Sequence, residues 1–225
     1  MRLPRKQFLY FVLGAFFLGN ALLAELVGGK LFQVALLGHT FTLSVGVLLW
    51  PIVFIVTDLV NEYFGRDGVR RLSFVTAGII IYAFVAIWFC GLPAAASFSP
   101  IPDAAFTTVF RQSQWIIVGS IIAFLVAQLV DVTVFTKLRS ATGGRMLWAR
   151  ATGSTLVSQL IDTFIVGFIG LHLPYLMQGP GYGVDFPTYL NGSSSGYIFK
   201  ALVAVAVTPI LYVGHSVIDR WLAVE

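Results

Sequence analysis

Six apolar runs, each near the length that crosses a bilayer, dominate this sequence. A membrane-spanning helix needs about 20 predominantly apolar residues. The runs cover residues 8–27, 43–64, 69–92, 115–134, 151–171 and 197–217. They are too long and continuous for a transmembrane β-barrel, whose strands alternate apolar and polar residues over about ten positions. They predict an all-α membrane protein: residues 1–225 form a single bundle of six transmembrane helices.

The composition agrees with a membrane protein and excludes several other classes. The chain is 58% hydrophobic and 11% charged, whereas soluble proteins carry about 25% charged residues. Its net charge of +4 does not indicate a nucleic-acid partner, because the basic residues lie in short loops between apolar runs. We expect the lipid bilayer as its surroundings. One cysteine precludes an internal disulfide, and the three histidines lack metal-ligand spacing. No metal or cofactor is expected.

The basic residues are divided unevenly between the two sides of the predicted bundle. Eleven of the 14 Lys and Arg lie at the two termini or in the loops after spans two and four. The opposite side holds Lys30, Arg111 and Lys200. Cytoplasmic segments of membrane proteins are enriched in Lys and Arg. The asymmetry therefore predicts that both termini are cytoplasmic, which an even number of spans allows.

Spans four and five carry the same polar pair inside an apolar helix, Gln128 with Asp131 and Gln159 with Asp162. Three-residue spacing places the amide and the carboxylate on one helix face. An ionised Asp within a bilayer costs roughly 2.5–3.5 kcal/mol on insertion scales. We therefore expect both carboxylates to face the bundle interior or a water-filled cavity. As antiparallel neighbours, the two helices would present two amides and two carboxylates to one pocket.

Further candidate site residues occur in three other spans. Asn20 interrupts span one, and Lys200 lies one turn into span six. On span two, Trp50, Phe54 and Asp58 share one face, because they are four residues apart. Together with the two Gln–Asp pairs, these residues form the predicted substrate-binding set.

Each charged or polar candidate also has a structural interpretation. Asn20 is also consistent with a hydrogen bond between helices, and Trp50 with an anchor at the membrane interface. Asp58 and its neighbour Glu62 are placed to pair with the arginine pair of the next loop. Asp131 is close to the basic residues that end its own span, and Lys200 has the length to extend outward to the interface.

The connecting segments also carry local signals. The glycines of residues 28–42 predict a turn and a short hairpin. Residues 65–71 read as a basic loop. Residues 93–112 are polar and rich in proline, with a short apolar patch that suits the membrane interface. Residues 173–196, rich in Gly, Pro and Ser, read as a long loop.

Several segments together resemble one family, the queuosine precursor transporters within the broader group of vitamin uptake transporters. The segments are Asn20, WPIVFIVTDLVNEYFG (Trp50–Gly65), the Arg70–Arg71 pair, QLVDVTVFTKLR (Gln128–Arg139), STLVSQLIDT (Ser154–Thr163) and YIFK (Tyr197–Lys200). The resemblance implies six helices and uptake across the inner membrane. It also implies deazaguanine bases as substrates, in the cyano and aminomethyl forms that precede queuine.

The predicted polar groups suit such a purine-like small molecule. A guanine-like base presents two parallel N–H donors, and a carboxylate accepts both. A Gln amide can donate to the ring carbonyl and accept from a ring N–H. Aromatic faces such as Phe54 stack flat bases, and a cationic aminomethyl group favours a second carboxylate. Amino acids and simple cations would also use carboxylates, so the residues alone do not select the substrate.

Two other functions remain open at this stage. A substrate-binding subunit of an energy-coupling uptake system would need a partner ATPase and a small-residue docking face, for which span one offers Ala15, Gly19, Ala21 and Ala24. An intramembrane aspartyl protease also places two Asp on adjacent helices, but the chain lacks the Gly-x-Gly-Asp pattern of such enzymes around Asp162. Small six-span bundles often pair, which makes a homodimer a further expectation.

Overall fold

Helices make up most of the chain, and one two-stranded hairpin joins the first two. The structure is a computed structural model that describes residues 4–36, 38–110 and 114–223. The elements are α1 (Arg5–Val27), β1 (Leu31–Leu36), β2 (His39–Ser44), α2 (Trp50–Cys90), α3 (Asp103–Phe110), α4 (Gln114–Ala141), α5 (Leu147–Gly167), α6 (Leu173–Gln178) and α7 (Phe186–Leu222). A 3-10 turn, Val45–Leu48, precedes α2, and a π-helical turn, Phe168–His172, follows α5.

Among the residues that the structure describes, five helical stretches are long and apolar enough to cross a membrane. They are Arg5–Val27, Trp50–Cys90, Asp103–Ala141, Leu147–Gln178 and Phe186–Leu222. Large apolar side chains such as Phe11, Phe74 and Val213 are at least half exposed on their outer faces. Exposed apolar surface on this scale suits contact with lipid. The membrane class predicted from the apolar runs therefore agrees with the structure.

Spans two and three form one helical stretch, Trp50–Cys90, with a break at Gly65. The predicted loop at residues 65–71 is therefore wrong, because a single residue makes the break. Gly65 has φ 70° and ψ −174°, a region open essentially to glycine alone. The predicted start of span two at residue 43 is also wrong. Strand β2 and the 3-10 turn occupy residues 43–48, and α2 begins with Pro51 in its first turn.

The break at Gly65 lies where α1 begins and α7 ends. Just before it, the Tyr63 hydroxyl donates to Asp219 of α7 at 2.7 Å. Just after it, the Gly68 carbonyl accepts from the Tyr10 hydroxyl of α1 at 2.8 Å. The end of α4 and the start of α5 reach the same region through ion pairs to Glu62. We call this the basic end, because most Lys and Arg lie there; the opposite end, which carries the β-hairpin, is the hairpin end.

The predicted hairpin between the first two spans is present. Strands β1 and β2 pair antiparallel, from Leu31 opposite Ser44 to Leu36 opposite His39. The buried Phe41 ring packs against Phe199 of α7, with ring centroids 6.0 Å apart. The hairpin therefore covers part of the bundle, and the chain is mostly helical rather than all-α.

The predicted loop at residues 173–196 is largely helical, which corrects the sequence interpretation. Asp185 caps α7, because its Oδ1 accepts from the Thr188 amide at 3.0 Å, and Pro187 suits the first helical turn. The Gly/Ser run lies inside α7 and lets it approach α5 closely. A Cβ on Gly167 would lie 2.5 Å from Ser193 Oγ. Small residues here serve helix contact instead of chain flexibility.

The remaining predicted connector, residues 93–112, contains the short helix α3. Its apolar residues are exposed or half-buried, and none is part of the buried core. Arg111, one of three basic residues predicted on the hairpin side, lies outside the described residues, as does Arg2 at the N-terminus. The core itself runs along α1, α2, α4 and α5, where Phe17, Val53 and Phe135 are fully buried.

Candidate functional site

A narrow polar pocket lies between α2, α4 and α5. Its walls carry both predicted Gln–Asp pairs together with two aromatic side chains of α2 and several small polar groups. The lining residues are Trp50, Phe54, Thr57, Phe124, Ala127, Gln128, Asp131, Thr155, Ser158, Gln159 and Asp162. We call this the inner pocket. It is contracted around its polar groups and has room for about one water molecule.

A larger cavity of about 410 Å³ lies on the hairpin side of the inner pocket. We call it the outer cavity. It is bounded by the end of α1, the hairpin, the start of α4, the end of α5 and the first turns of α7. Asp162 and Trp50 line both spaces. These two side chains therefore mark the passage from the outer cavity to the inner pocket.

Asp162 forms an ion pair with Lys200 across α5 and α7. Lys200 Nζ lies 2.8 Å from Asp162 Oδ2, and both side chains are mostly buried. No basic residue lies within a turn of Asp162 on its own helix. A partner for this carboxylate therefore has to come from another helix. Lys200 supplies it by pointing inward, so the alternative of an outward-extending lysine does not hold. A charge-assisted hydrogen bond of this kind is strong at a site with little water.

Three aromatic rings form one wall of the inner pocket. Trp50 and Phe54 stack with centroids 6.0 Å apart and planes inclined by 21°. Phe124 of α4 lies 6.0 Å from Trp50. Trp50 is thus part of the pocket wall, and its predicted alternative role as an interface anchor is not what the contacts indicate. The wall offers flat apolar surface beside the carboxylates.

The amides and carboxylates of the inner pocket are only partly satisfied by protein groups. Gln128 Nε2 donates to Thr57 at 3.4 Å, and Asp131 Oδ1 accepts from Ser158 at 3.1 Å. Gln159 Oε1 is buried and has no hydrogen-bond partner among the described residues. A buried acceptor without a partner is costly, which makes this atom a natural point of contact for a donor on a bound molecule.

Glu62 closes the basic end, with partners that differ from the predicted ones. Its alternative pairing with Arg70 and Arg71 is wrong. Glu62 Oε2 instead lies 2.8 Å from Arg150 of α5 and 3.6 Å from Arg139 of α4. Sequence reasoning missed these contacts because they join helices that are far apart along the chain.

Asp58 and Asp131 lie between the outer cavity and the ion pairs that Glu62 forms with Arg139 and Arg150. Asp58 lines a second small pocket, beside the inner one, whose wall includes Thr155 and Thr208. Both carboxylates are buried, at 5% and 6% exposure. The alternative pairing of Asp131 with Lys137 or Arg139, the basic residues that end α4, is wrong. Asp131 faces α5 and accepts from Ser158, and Arg139 pairs with Glu62.

One predicted site residue lies elsewhere, and one unpredicted carboxylate joins the site. Asn20 donates to the Phe16 carbonyl of its own helix at 2.8 Å and lines none of the three described pockets. Glu25, near the end of α1, lines the outer cavity and hydrogen-bonds Ser120 of α4. Sequence reasoning did not single out Glu25 because its position at a helix end resembles an interfacial residue.

The site offers hydrogen-bond acceptors and flat apolar surface. Within the parts of the chain that the structure describes, no group of three His, Cys, Asp or Glu residues lies close enough to hold a metal ion. The arrangement is suited to a small flat molecule whose edge carries N–H donors.

Comparison with known proteins points to one family. Residues 44–214 match the family described as "Putative vitamin uptake transporter". This match covers every segment that forms the inner pocket. No solved structure matches the chain significantly.

Three relatives carry closely related names. A "Probable queuosine precursor transporter" of Bacillus subtilis is 31% identical over 202 residues, covering 83% of this chain and 77% of the relative. The "Queuosine precursor transporter" of Escherichia coli is 30% identical, over 60% of this chain and 58% of the relative. A "Probable queuosine precursor transporter" of Haemophilus influenzae is 31% identical, over 53% and 48%. All three are named as transporters.

Proposed function

This chain belongs to the vitamin uptake transporter family and to its queuosine precursor transporters, and from that premise we propose that it takes up deazaguanine bases across the inner membrane. The chain is a multi-pass membrane protein with a transport role. The proposed substrates are the cyano and aminomethyl deazaguanines. The proposed binding site is the inner pocket together with its junction to the outer cavity.

The observation that carries this proposal is the meeting of both Gln–Asp pairs with an aromatic wall in one pocket. A guanine-like edge presents two adjacent N–H donors, and in this proposal the Asp162 carboxylate at the junction accepts both. The unpartnered Gln159 oxygen supplies a further acceptor. Trp50 and Phe54 offer faces for stacking, worth about 1–3 kcal/mol per base where measured on nucleic acids.

The distribution of open space supports an outward-facing state. The outer cavity lies at the hairpin end, whereas Glu62 and its arginines close the basic end. The positive-inside rule assigns the basic end to the cytoplasm. We therefore propose that the outer cavity faces the exterior and that both termini are cytoplasmic. The inner pocket must widen to admit a base, because its present space suits about one water.

Six membrane crossings follow from the proposed orientation. The break at Gly65 divides Trp50–Cys90 into two helical halves that meet at the basic end. Counting these halves separately turns the five helical stretches into six spans. An even number of spans then returns the chain to the cytoplasmic side, as the distribution of Lys and Arg requires.

The alternative of an energy-coupling subunit is less well supported by the packing of α1. Its docking face would need the small residues of α1 to be accessible to a partner. Of the four residues of that face, Ala21 and Ala24 are buried within the chain, at 0% and 2% exposure, whereas Ala15 is exposed and Gly19 is half-buried. A solitary carrier, alone or as a homodimer in the bilayer, fits this packing better.

Binding to the purified protein tests the proposed substrate class. We expect both deazaguanines to bind saturably in detergent and adenine to bind far more weakly, because adenine lacks the two adjacent N–H donors of the guanine edge. Isothermal titration measures all three on the same sample. Equal affinity for adenine and the deazaguanines would contradict recognition of that edge by a carboxylate.

A further inference from the structure

A second pair of buried carboxylates lies deeper in the bundle than Asp162. Asp58 of α2 and Asp131 of α4 line two adjoining pockets that share Phe54 and Thr155 in their walls, and the Asp131 charge acts on Asp58. Asp131 is hydrogen-bonded by Ser158. Asp58 Oδ1 is buried and has no hydrogen-bond partner among the described residues. One of these carboxylates thus carries an atom with unmet hydrogen-bonding capacity.

Within the described residues, no cation pairs with either carboxylate. The Arg150 guanidinium acts on Asp58 from a distance, but its hydrogen bonds go to Glu62 at 2.8 Å and to the Gly144 carbonyl at 2.6 Å. Lys200 is bound to Asp162 instead. The two carboxylates therefore share a site with little water and lack a neutralising partner of their own.

We propose that Asp58 and Asp131 hold one proton between them, and that this shared proton couples uptake of the base to proton movement across the membrane. Two like charges at a dry site cannot both ionise without a large cost, and one bound proton removes it. Protonation also turns one of the two carboxyl groups into a hydrogen-bond donor. The proton moves between carboxylate oxygens, so no bond other than O–H changes.

A proton fits the surroundings better than a metal ion. The inner pocket beside Asp131 has space for about one water.

The charged groups that face Asp58 are Asp131 from α4, Arg150 from α5 and Glu62 from α2 itself. Helix α7 contributes Thr208 and no titratable side chain to the wall of this pocket, and Tyr10 of α1 is bound to the Gly68 carbonyl.

The position of the pair suits a coupling role. Asp131 shares the inner pocket with Asp162, which reaches the outer cavity. On the other side, Glu62 lies one helical turn beyond Asp58, at the basic end of the bundle. Its Oε1 atom lies 4.0 Å from Nε2 of His215. A proton on the pair is thus within reach of both ends of the bundle. The coupling to uptake rests on the proposed function, whereas the shared proton does not.

Infrared spectroscopy of the purified full-length protein tests the shared proton without any substrate. A buried protonated carboxyl group gives its own carbonyl stretch, distinct from that of a carboxylate. We expect this band at neutral pH in the wild type, and its loss in both Asp58→Asn and Asp131→Asn. The matched control Asp103→Asn, on the exposed helix α3, should leave the band unchanged. A carboxyl band of unchanged intensity in either correctly assembled pocket variant would overturn the shared proton.

Both pocket variants should fold, because Asn has the shape of a protonated Asp and removes a buried charge. Size-exclusion profiles matching the wild type check this before the spectra are compared. If one variant fails to assemble, the other still decides the outcome, since either substitution removes the pair.

Transport of the uncharged cyano form tests the coupling, because membrane potential alone does not drive an uncharged molecule. With one proton per base, an inward gradient of about one pH unit supports about tenfold accumulation in proteoliposomes. We expect the wild type to accumulate the base and a protonophore to abolish this. Asp58→Asn should exchange labelled for unlabelled base yet show no accumulation. Accumulation by Asp58→Asn, or accumulation that follows a sodium gradient instead, would overturn the coupling.

A wild type that moves no base at all would contradict the proposed uptake, and the coupling with it. The infrared result would still decide whether Asp58 and Asp131 share a proton. The two failures are therefore distinguishable.

Discussion

Asp162 is the side chain on which recognition depends most at the scale of single residues. It joins the outer cavity to the inner pocket and is neutralised by Lys200. In Asp162→Asn, an amide N–H replaces one acceptor oxygen and faces a donor of the base. Breaking a buried charged hydrogen-bond pair costs about 2–5 kcal/mol. We expect deazaguanine affinity to fall roughly thirtyfold or more, measured by isothermal titration.

The interpretation of that variant needs a control for Lys200, which would lose its partner. An unpaired buried charge destabilises a protein strongly. The double variant Asp162→Asn/Lys200→Met removes both charges, so we expect its thermal stability to recover while binding stays weak. Asp103→Asn, an exposed carboxylate on α3, should bind as the wild type does. Wild-type affinity in Asp162→Asn would make Asp131 the recognition carboxylate instead.

At the scale of elements, the break within α2 depends on one glycine. Gly65 has φ 70°, and an L side chain in such a conformation costs about 1–3 kcal/mol. We expect Gly65→Ala to lower the melting temperature of the purified protein. Gly78→Ala is the matched control in the same helix, because Gly78 has no atom within 4 Å of an added Cβ and helical φ. It should be neutral or stabilising; equal losses in both variants would contradict the role of the break.

The start of α7 should show a pH dependence that comes from its cap. The Thr188 hydroxyl and backbone amide hydrogen-bond Asp185 and lower the pKa of its carboxyl. Because the folded-state pKa lies below the unfolded one, this carboxylate stabilises the fold at neutral pH. The contribution is lost as the pH falls from the usual Asp range through the lowered pKa.

The cap variant Asp185→Asn keeps an acceptor for the Thr188 amide but carries no charge. We therefore expect its melting temperature to change less between neutral and acidic pH than that of the wild type. Thermal melts over a pH series measure this difference. An identical pH dependence in both proteins would contradict the assignment to Asp185.

The sequence predicted the elements that depend on local pattern and missed those that depend on one residue or on distant contacts. The long apolar runs predicted the helices. The Gln–Asp spacing predicted the inner pocket, because a charged side chain within a membrane must face the protein interior. The helical character of residues 173–196 was missed, since Gly and Ser there serve packing against α5. The pairing of Glu62 with Arg150 joins residues far apart along the chain, which no local pattern encodes.

At the scale of the whole molecule, the orientation in the membrane is open to a direct test through Cys90. This residue is exposed and ends α2, a full helical segment away from the break at the basic end. We expect a membrane-impermeant maleimide to label Cys90 in right-side-out vesicles. In Cys90→Ser/Ser140→Cys, where the thiol follows the basic end of α4, labelling should require permeabilisation. The reverse pattern would contradict cytoplasmic termini.

The central claim is that this chain alone carries deazaguanine bases across a membrane. The most direct measurement is uptake of labelled cyano-deazaguanine into proteoliposomes that contain only this protein. We predict saturable uptake above that of empty liposomes, inhibited by the unlabelled aminomethyl form and strongly reduced in Asp162→Asn. Uptake no greater than that of empty liposomes, or uptake that appears only with an added ATPase, would contradict it.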